Sequence, residues 1–411
     1  VKNTHVWFAA VLLILAAAIR IYFAMAAPVE PYQAAGKISV YNDEPAHRSV
    51  IQYWVLENAH PSRGVDPDQP LPIEPGNIVA RTGEDFQPPL YYFLAMFALG
   101  FSDVFPVAEP WIFPRLLSVV FGLISLLFLW LACRRVFSEG QSLAALTFGG
   151  VLLSHVRFTS LVTNDSLQWA ISAAVVYLMI RRIQGKGRHR LALVLLLAAG
   201  LWTKLSFLPL VLVLPTAWLL RIRSGAGEKF PWGELIFPIL LWAPWLYWNY
   251  LHWGTIFPMA VGFGAPSNPV AGFDRLFASA FYLFRSFWFP FDDIWGGGTK
   301  PVIFIVLGAV VAVILLLCLL EIIRQVGLRR LFPIPSPEYR AIAISLLAFG
   351  FVLASFLFLN LRYFQSEARL LFPAFVPIVI LLMLGCRRIV SASFGPWLLP
   401  LSAAFSYLLL R

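Results

Sequence analysis

Apolar runs of close to 20 residues recur along the chain from its first residues to its last, each closed by a short charged or proline-bearing segment. About 20 apolar residues wound as a helix cross the hydrocarbon core of a bilayer. An open sheet in that medium would leave backbone groups unpaired, so the runs are read as helices. With 60% hydrophobic and 13% charged residues, the chain cannot clothe an ordinary water-facing surface. The expectation is an all-α polytopic membrane protein.

The formal charge of +10 is dispersed over loops, with no nucleic-acid motif, so no nucleic-acid partner is expected. Basic residues gather at Arg134 and Arg135, Arg181 to Arg190, Arg221 to Lys229, Arg324 to Arg340, and Arg387 with Arg388. The positive-inside rule puts these five loops in the cytoplasm. Residues 30 to 109 hold eleven Asp or Glu against four Lys or Arg and are assigned to the outside.

These constraints predict spans near 6–27, 112–133, 142–158, 162–180, 235–251, 301–323, 341–360, 369–386 and 394–410. Residues 191–220 join two cytoplasmic loops, so the chain crosses there an even number of times, yet 30 residues are short for two full spans. Two short helices with a turn at Thr203, Lys204 and Pro209 fit best, giving about eleven spans in all. The chain then divides into a first span (1–27), an extracytoplasmic segment (28–111), a bundle (112–251), a second outer segment (252–300) and C-terminal helices (301–411). Arg20 within the first apolar run, and no small-residue cleavage site of the usual form, favour a retained anchor over a signal peptide. Cys133, Cys318 and Cys386 fall toward cytoplasmic ends and are expected to be packing residues.

The two outer segments are too long to be mere connectors, and such loops usually carry function. Tyr41-Asn42-Asp43-Glu44-Pro45-Ala46-His47-Arg48 opens a half-polar run to Glu57, read as a helix on the membrane surface. Asn42 or Asp43 with Pro45 suits a helix start, which would explain the acids without chemistry. Against that, Asp43 and His47 share a helix face with Glu44 beside them. One carboxylate can accept a proton from an attacking hydroxyl while its neighbour orients that group or a metal. His47 alone is more often a surface histidine than a ligand, and zinc would need more ligands than are evident.

Glu84-Asp85-Phe86-Gln87-Pro88-Pro89-Leu90-Tyr91-Tyr92 begins a second, aromatic-rich surface helix. Arg157, Lys204, Arg275, Arg285, Arg362 and Arg369 are basic groups on the outer side, against the positive-inside pattern. Snorkelling to headgroups accounts for some; an anionic phosphate ligand would partner the others. Asp165 after Asn164 is expensive in lipid unless it faces a cavity, and could also be a helix cap.

The order Asn-Asp-Glu-Pro-Ala-His, Gln-Pro-Pro-Leu-Tyr-Tyr, Pro114-Arg115-Leu116-Leu117-Ser118, Thr163-Asn164-Asp165, Thr203-Lys204, Arg285-Ser286-Phe287-Trp288 and Glu367-Ala368-Arg369-Leu370-Leu371-Phe372-Pro373 resembles bacterial GT-C glycosyltransferases of the family 39 type. That family includes protein O-mannosyltransferases and the lipid A aminoarabinose transferase. The resemblance implies two outer-surface helices after the first span, roofing a cavity that a polyprenyl-phosphate sugar enters from the bilayer. It implies transfer to an extracytoplasmic acceptor, on lipid, glycan or protein, from a bacterial inner membrane. Asp43 matches the general base and Glu44 its partner in catalysis. His47, Gln87, Tyr91, Arg115, Asp165, Lys204, Arg285, Glu367 and Arg369 match substrate-binding positions, with Lys204 and Arg369 the candidates for the phosphate. No cofactor is required beyond the lipid-linked donor, with a divalent metal an open possibility and no metal ligands assigned. Gln87 departs from the aminoarabinose transferase, which has lysine there. No large soluble C-terminal domain follows the last run, so acceptor recognition is expected elsewhere.

A transporter or flippase would also explain intramembrane charge, but no inverted repeat is evident and the polar groups gather at the outer face. A noncatalytic envelope-assembly protein is the third reading, and it would tolerate loss of both carboxylates.

Overall fold

The computed structural model describes residues 4–26, 44–57, 87–105, 107, 109–185, 189–223, 230–258, 273–288, 301–326, 337–362, 365, 367–387 and 397–408. Among these the secondary structure is helical throughout. Five helices are long and apolar enough to cross a membrane: Thr4–Ala26, Ile112–Cys133, Leu307–Arg324, Glu338–Leu361 and Ala368–Cys386. The chain is an integral membrane protein. The remaining expected spans are shorter, broken or more polar helices.

Helix α1 (Thr4–Ala26) packs against α4 (Ile112–Cys133) and α5 (Glu139–Val151), while α2 (Glu44–Glu57) and α3 (Leu90–Val104) lie against each other near the start of α4. At the centre α4 packs on α7 (Asn164–Ile183), which is buried without interruption from Asn164 to Tyr177. A helix apolar on one side and polar on its other side can be buried so completely only if its polar atoms find partners inside the protein.

The run expected as one span at 142–158 is two helices. The α5 helix starts on a Ser138–Gln141 capping box and stops at Leu152, whose backbone is extended (φ −63°, ψ 114°), and α6 (Leu153–Phe158) continues from there. The guanidinium of Arg20 takes up the carbonyls of Gly149 and Gly150, giving partners to acceptors that a helix end otherwise leaves unsatisfied.

Residues 191–220 form the expected pair of short helices. Helix α8 (Arg190–Leu201) ends in a bend, followed by a 3-10 turn (Leu205–Phe207), α9 (Leu208–Val211) and α10 (Val213–Arg223). Gly200 makes the bend possible, because a Cβ there would run into the ring of Phe207. Then come α11 (Trp232–Trp253), closed by left-handed Gly254 at φ 69°, and α12 (Phe273–Trp288). Helices α13 (Pro301–Val326) and α14 (Pro337–Arg362) precede a 3-10 segment (Ala368–Ala374) that runs into α15 (Phe375–Cys386), and α16 (Leu398–Leu408) packs on α5. Cys133, Cys318 and Cys386 are buried free thiols.

The residues just after α6 touch α4 with no spare room. A Cβ on Gly122 would stand 2.6 Å from Thr159 Cβ and 2.8 Å from its hydroxyl. Gly122→Ala is therefore expected to lower stability by about 1–3 kcal/mol, the usual result of overpacking, read as a fall in melting temperature of the detergent-solubilised protein. An unchanged melting temperature would mean that this approach is looser than described.

Candidate active site

Glu44, the first residue of α2, is 4% exposed and spends both oxygens on the protein. Its Oε1 accepts from Arg115 Nε at 2.7 Å and from the Val162 backbone N–H at 3.1 Å. Its Oε2 accepts from Arg115 Nη2 at 2.8 Å. Arg115, in the first turns of α4, also donates from Nη1 to the carbonyl of Ala24 at 2.8 Å. One forked ion pair thus ties together the end of α1, the start of α2, the start of α4 and the loop before α7. Paired, bidentate geometry is what makes burying two charges tolerable. Asp43 lies outside the described residues; in sequence it directly precedes this pinned helix start.

His47, one turn further along α2, is fully buried rather than at the surface. Its Nδ1 is 2.9 Å from the Tyr92 hydroxyl, which also receives Asn164 Nδ2 at 3.4 Å. The Tyr92 hydroxyl thus joins a side chain of α2 to one of α7. Tyr91 meets Ser118 at 2.9 Å, and burial pushes its hydroxyl well above the ordinary phenol range, so it serves as a hydrogen-bonding group rather than a base. These contacts seat α2 and α3 on α4 and α7.

Gln87 is 5% exposed and its Oε1 has no hydrogen-bond partner among the described residues. It stands just ahead of Pro88 and Pro89, and the Leu90 N–H that follows donates to the Trp202 carbonyl at 3.0 Å. The start of α3 is thereby anchored to the bend that carries Lys204.

Asp165, capped into α7 by Thr163, is 1% exposed. Lys204 Nζ is 2.7 Å from its Oδ1, and Arg369 Nη1 is 3.6 Å from its Oδ2. Arg369 also holds Glu367 at 2.6 Å. The guanidinium carbons of Arg157 and Arg369 lie 5.2 Å and 5.4 Å from the centroid of the same ring, Phe158. Each cation gains from the ring's negative face. Glu44, Arg157, Phe158, Val162, Thr163 and Arg369, with Leu161, line a small, partly open cleft.

Of the residues singled out from sequence, Glu44 and Arg369 therefore line the cleft, while Arg115, Asp165, Lys204 and Glu367 hold those two or their neighbours. Lys204 is engaged with Asp165 and is not among the lining residues. Arg285 is half-buried on α12, whose end is docked by Ser154 donating to the Phe287 carbonyl at 2.7 Å and by Ala368 N–H donating to Ser286 at 2.8 Å. The side chains of Arg275 and Arg362 fall outside the described set. Arg157 was noted only as one of several outer cations, and Phe158 carried no signal in a chain with 36 phenylalanines. Among the described residues, no group of three or more His, Cys, Asp or Glu is placed to hold a metal ion.

Within the described cluster four cations (Arg115, Arg157, Lys204, Arg369) stand with three carboxylates (Glu44, Asp165, Glu367), and two of the cations open onto the cleft. The arrangement suits an anion.

A helical membrane bundle with paired surface helices set over a buried ionic cluster is the GT-C class of glycosyltransferase fold. ArnT from Cupriavidus metallidurans, solved with undecaprenyl phosphate bound, superposes with a TM-score of 0.52 over 97% of this chain and 62% of its own, at 15% identity. The Archaeoglobus fulgidus oligosaccharyltransferase tethered to an acceptor peptide gives 0.51 over 98% and 55%, at 14% identity. The same enzyme in complex with Zn and sulfate gives 0.52 over 97% and 52%, at 14% identity. At these identities the likenesses establish the fold, and the chain spans less than two thirds of each protein's length. Residues 87–248 match the family model for dolichyl-phosphate-mannose-protein mannosyltransferases. No curated protein sequence matches it.

Proposed function

We propose that this protein transfers a sugar from a polyprenyl-phosphate donor to a hydroxyl of an extracytoplasmic acceptor, with inversion at the anomeric carbon. The observation that carries the reading is the convergence of Arg157 and Arg369 on Phe158 at the wall of a cleft. That cleft is also lined by the first residue of the pinned helix that follows Asp43.

The chemistry follows from charge. Asp43 accepts the proton of the acceptor hydroxyl as its oxygen bonds to the anomeric carbon. The bond from that carbon to the phosphate oxygen breaks, and its electron pair leaves with the lipid phosphate. A phosphodiester with one negative charge becomes a monoester with two, so guanidiniums at the phosphate favour the transition state over the ground state. No acid is needed to protonate the leaving group. Glu44 does not share the proton; locked by Arg115, it fixes the helix start that follows the base.

The active face lies outside the cytoplasm, in keeping with the acidic 30–109 segment and the basic loops between spans. Undecaprenyl phosphate, the ligand bound in the ArnT structure, serves as the probe. Purified wild-type protein is expected to bind it saturably, and Arg369→Gln to bind it roughly tenfold more weakly, the loss of one charge-assisted contact of about 1.4 kcal/mol. Absence of saturable binding by the wild type would overturn the reading.

A further inference from the structure

An arginine within an apolar span is costly unless the protein supplies all its partners. Arg20, in α1, is fully buried and holds groups from three elements and the residue that follows α6. Its Nη1 donates to its own helix at Ala16 O, 2.9 Å, and to Gly150 O at the end of α5, 3.0 Å. Its Nη2 donates to Gly149 O at 3.2 Å and to His155 Nδ1 of α6 at 2.8 Å, and its Nε to Thr159 Oγ1 at 3.0 Å.

A guanidinium has no acceptor, so His155 Nδ1 must accept, and the imidazole proton sits on Nε2. That nitrogen is 2.9 Å from Ser125 Oγ on α4, whose own proton goes to Gly122 O at 2.8 Å. The Thr159 hydroxyl, accepting from Arg20, donates to His155 O at 2.6 Å. Every donor in this chain has a defined direction, so α6 is held in one pose. Arg157 stands between His155 and Thr159, the two side chains that Arg20 grips, and reaches the cleft that Arg20 does not line.

We propose that Arg20 is a positioning residue: by holding the end of α5, His155 and Thr159 together, it sets where the Arg157 guanidinium meets the donor phosphate. The proposal rests on the reading of the cleft as a phosphate site. The helix break at Leu152 frees the carbonyls of Gly149 and Gly150, and the planar fork of arginine reaches them while also reaching α6. Lysine presents one nitrogen in place of three and cannot span these partners at once.

The test uses the wild type and the variants Arg20→Lys, Thr159→Val and Arg157→Gln, with the doubles of Arg20→Lys and of Thr159→Val with Arg157→Gln. Affinity for undecaprenyl phosphate is measured well below each protein's melting temperature and normalised to folded protein. Arg20→Lys and Thr159→Val are each expected to weaken binding about tenfold in the wild-type background. In the Arg157→Gln background each should change it less than about twofold, since the residue through which they act is gone. Unchanged affinity in Arg20→Lys, with only its melting temperature lowered, would overturn the proposal, as would effects that multiply in the doubles. Should Arg20→Lys not fold, Thr159→Val carries the same cycle with the Arg20 charge retained. Failure of the wild type to bind defeats the phosphate site itself; wild-type binding with multiplying effects defeats only the positioning role.

Discussion

Arg115→Met is expected to destabilise the protein by about 3–5 kcal/mol, because it takes from the buried Glu44 carboxylate the fork that meets both its oxygens. Both side chains are nearly inaccessible, 1% for Arg115 and 3% for Glu44, so water cannot replace the lost partner. The loss also frees the Ala24 carbonyl at the end of α1. Glu44→Met should cost a similar amount, because it removes the carboxylate that takes up two nitrogens of the buried Arg115 guanidinium. The double variant removes both charges together and should be much less damaged than the sum of the singles, since apolar replacement of a complete buried pair is often near neutral. Reversible unfolding of the four proteins in mixed micelles measures this. Additive losses would mean that the two residues act separately, contrary to the forked geometry at 2.7 and 2.8 Å.

Asp43→Asn is expected to reduce sugar transfer by roughly 10²–10⁴-fold while leaving affinity for undecaprenyl phosphate unchanged. Asparagine keeps the shape of aspartate but cannot take the proton that the acceptor must lose. Its phosphate affinity should be preserved because the cations that line the cleft, Arg157 and Arg369, are untouched. The split between rate and binding separates a base from a residue that merely starts a helix. Wild-type transfer by Asp43→Asn would remove the base from the proposed mechanism and leave the acid as a helix cap.

Much of the fold was legible because bilayer thickness acts on run length. The spans at 112–133 and 369–386 coincide with observed helices and the 3-10 start of α15. The bend near Lys204 followed from sidedness: two basic loops on one face demand an even number of crossings. The break at Leu152 was not legible, because the group that satisfies the carbonyls before it is Arg20, more than a hundred residues earlier in sequence, and hydropathy does not register a hydrogen bond between distant segments.

The site divides in the same way. Adjacent acids at 43 and 44 look equivalent as letters, and nothing in the local sequence announces that Arg115 claims Glu44 across 71 residues. Asp165 and Lys204 were each legible as costly groups, but not as a direct ion pair of 2.7 Å. The burial of His47 depends on Tyr92 and Asn164 arriving from two other helices. Arg20 and His155 were readable as ionisable groups inside apolar runs, the kind of residue whose cost in lipid calls for a partner; which partner is a property of packing.

The central claim is tested most directly by reconstituting the purified wild-type protein in liposomes with polyprenyl-phosphate donor labelled in the sugar, together with delipidated envelope extract as acceptor. The account predicts that label moves covalently from the lipid to the acceptor, with one polyprenyl phosphate released for each sugar transferred. Label that crosses between leaflets while still attached to its lipid would contradict the account and show a flippase.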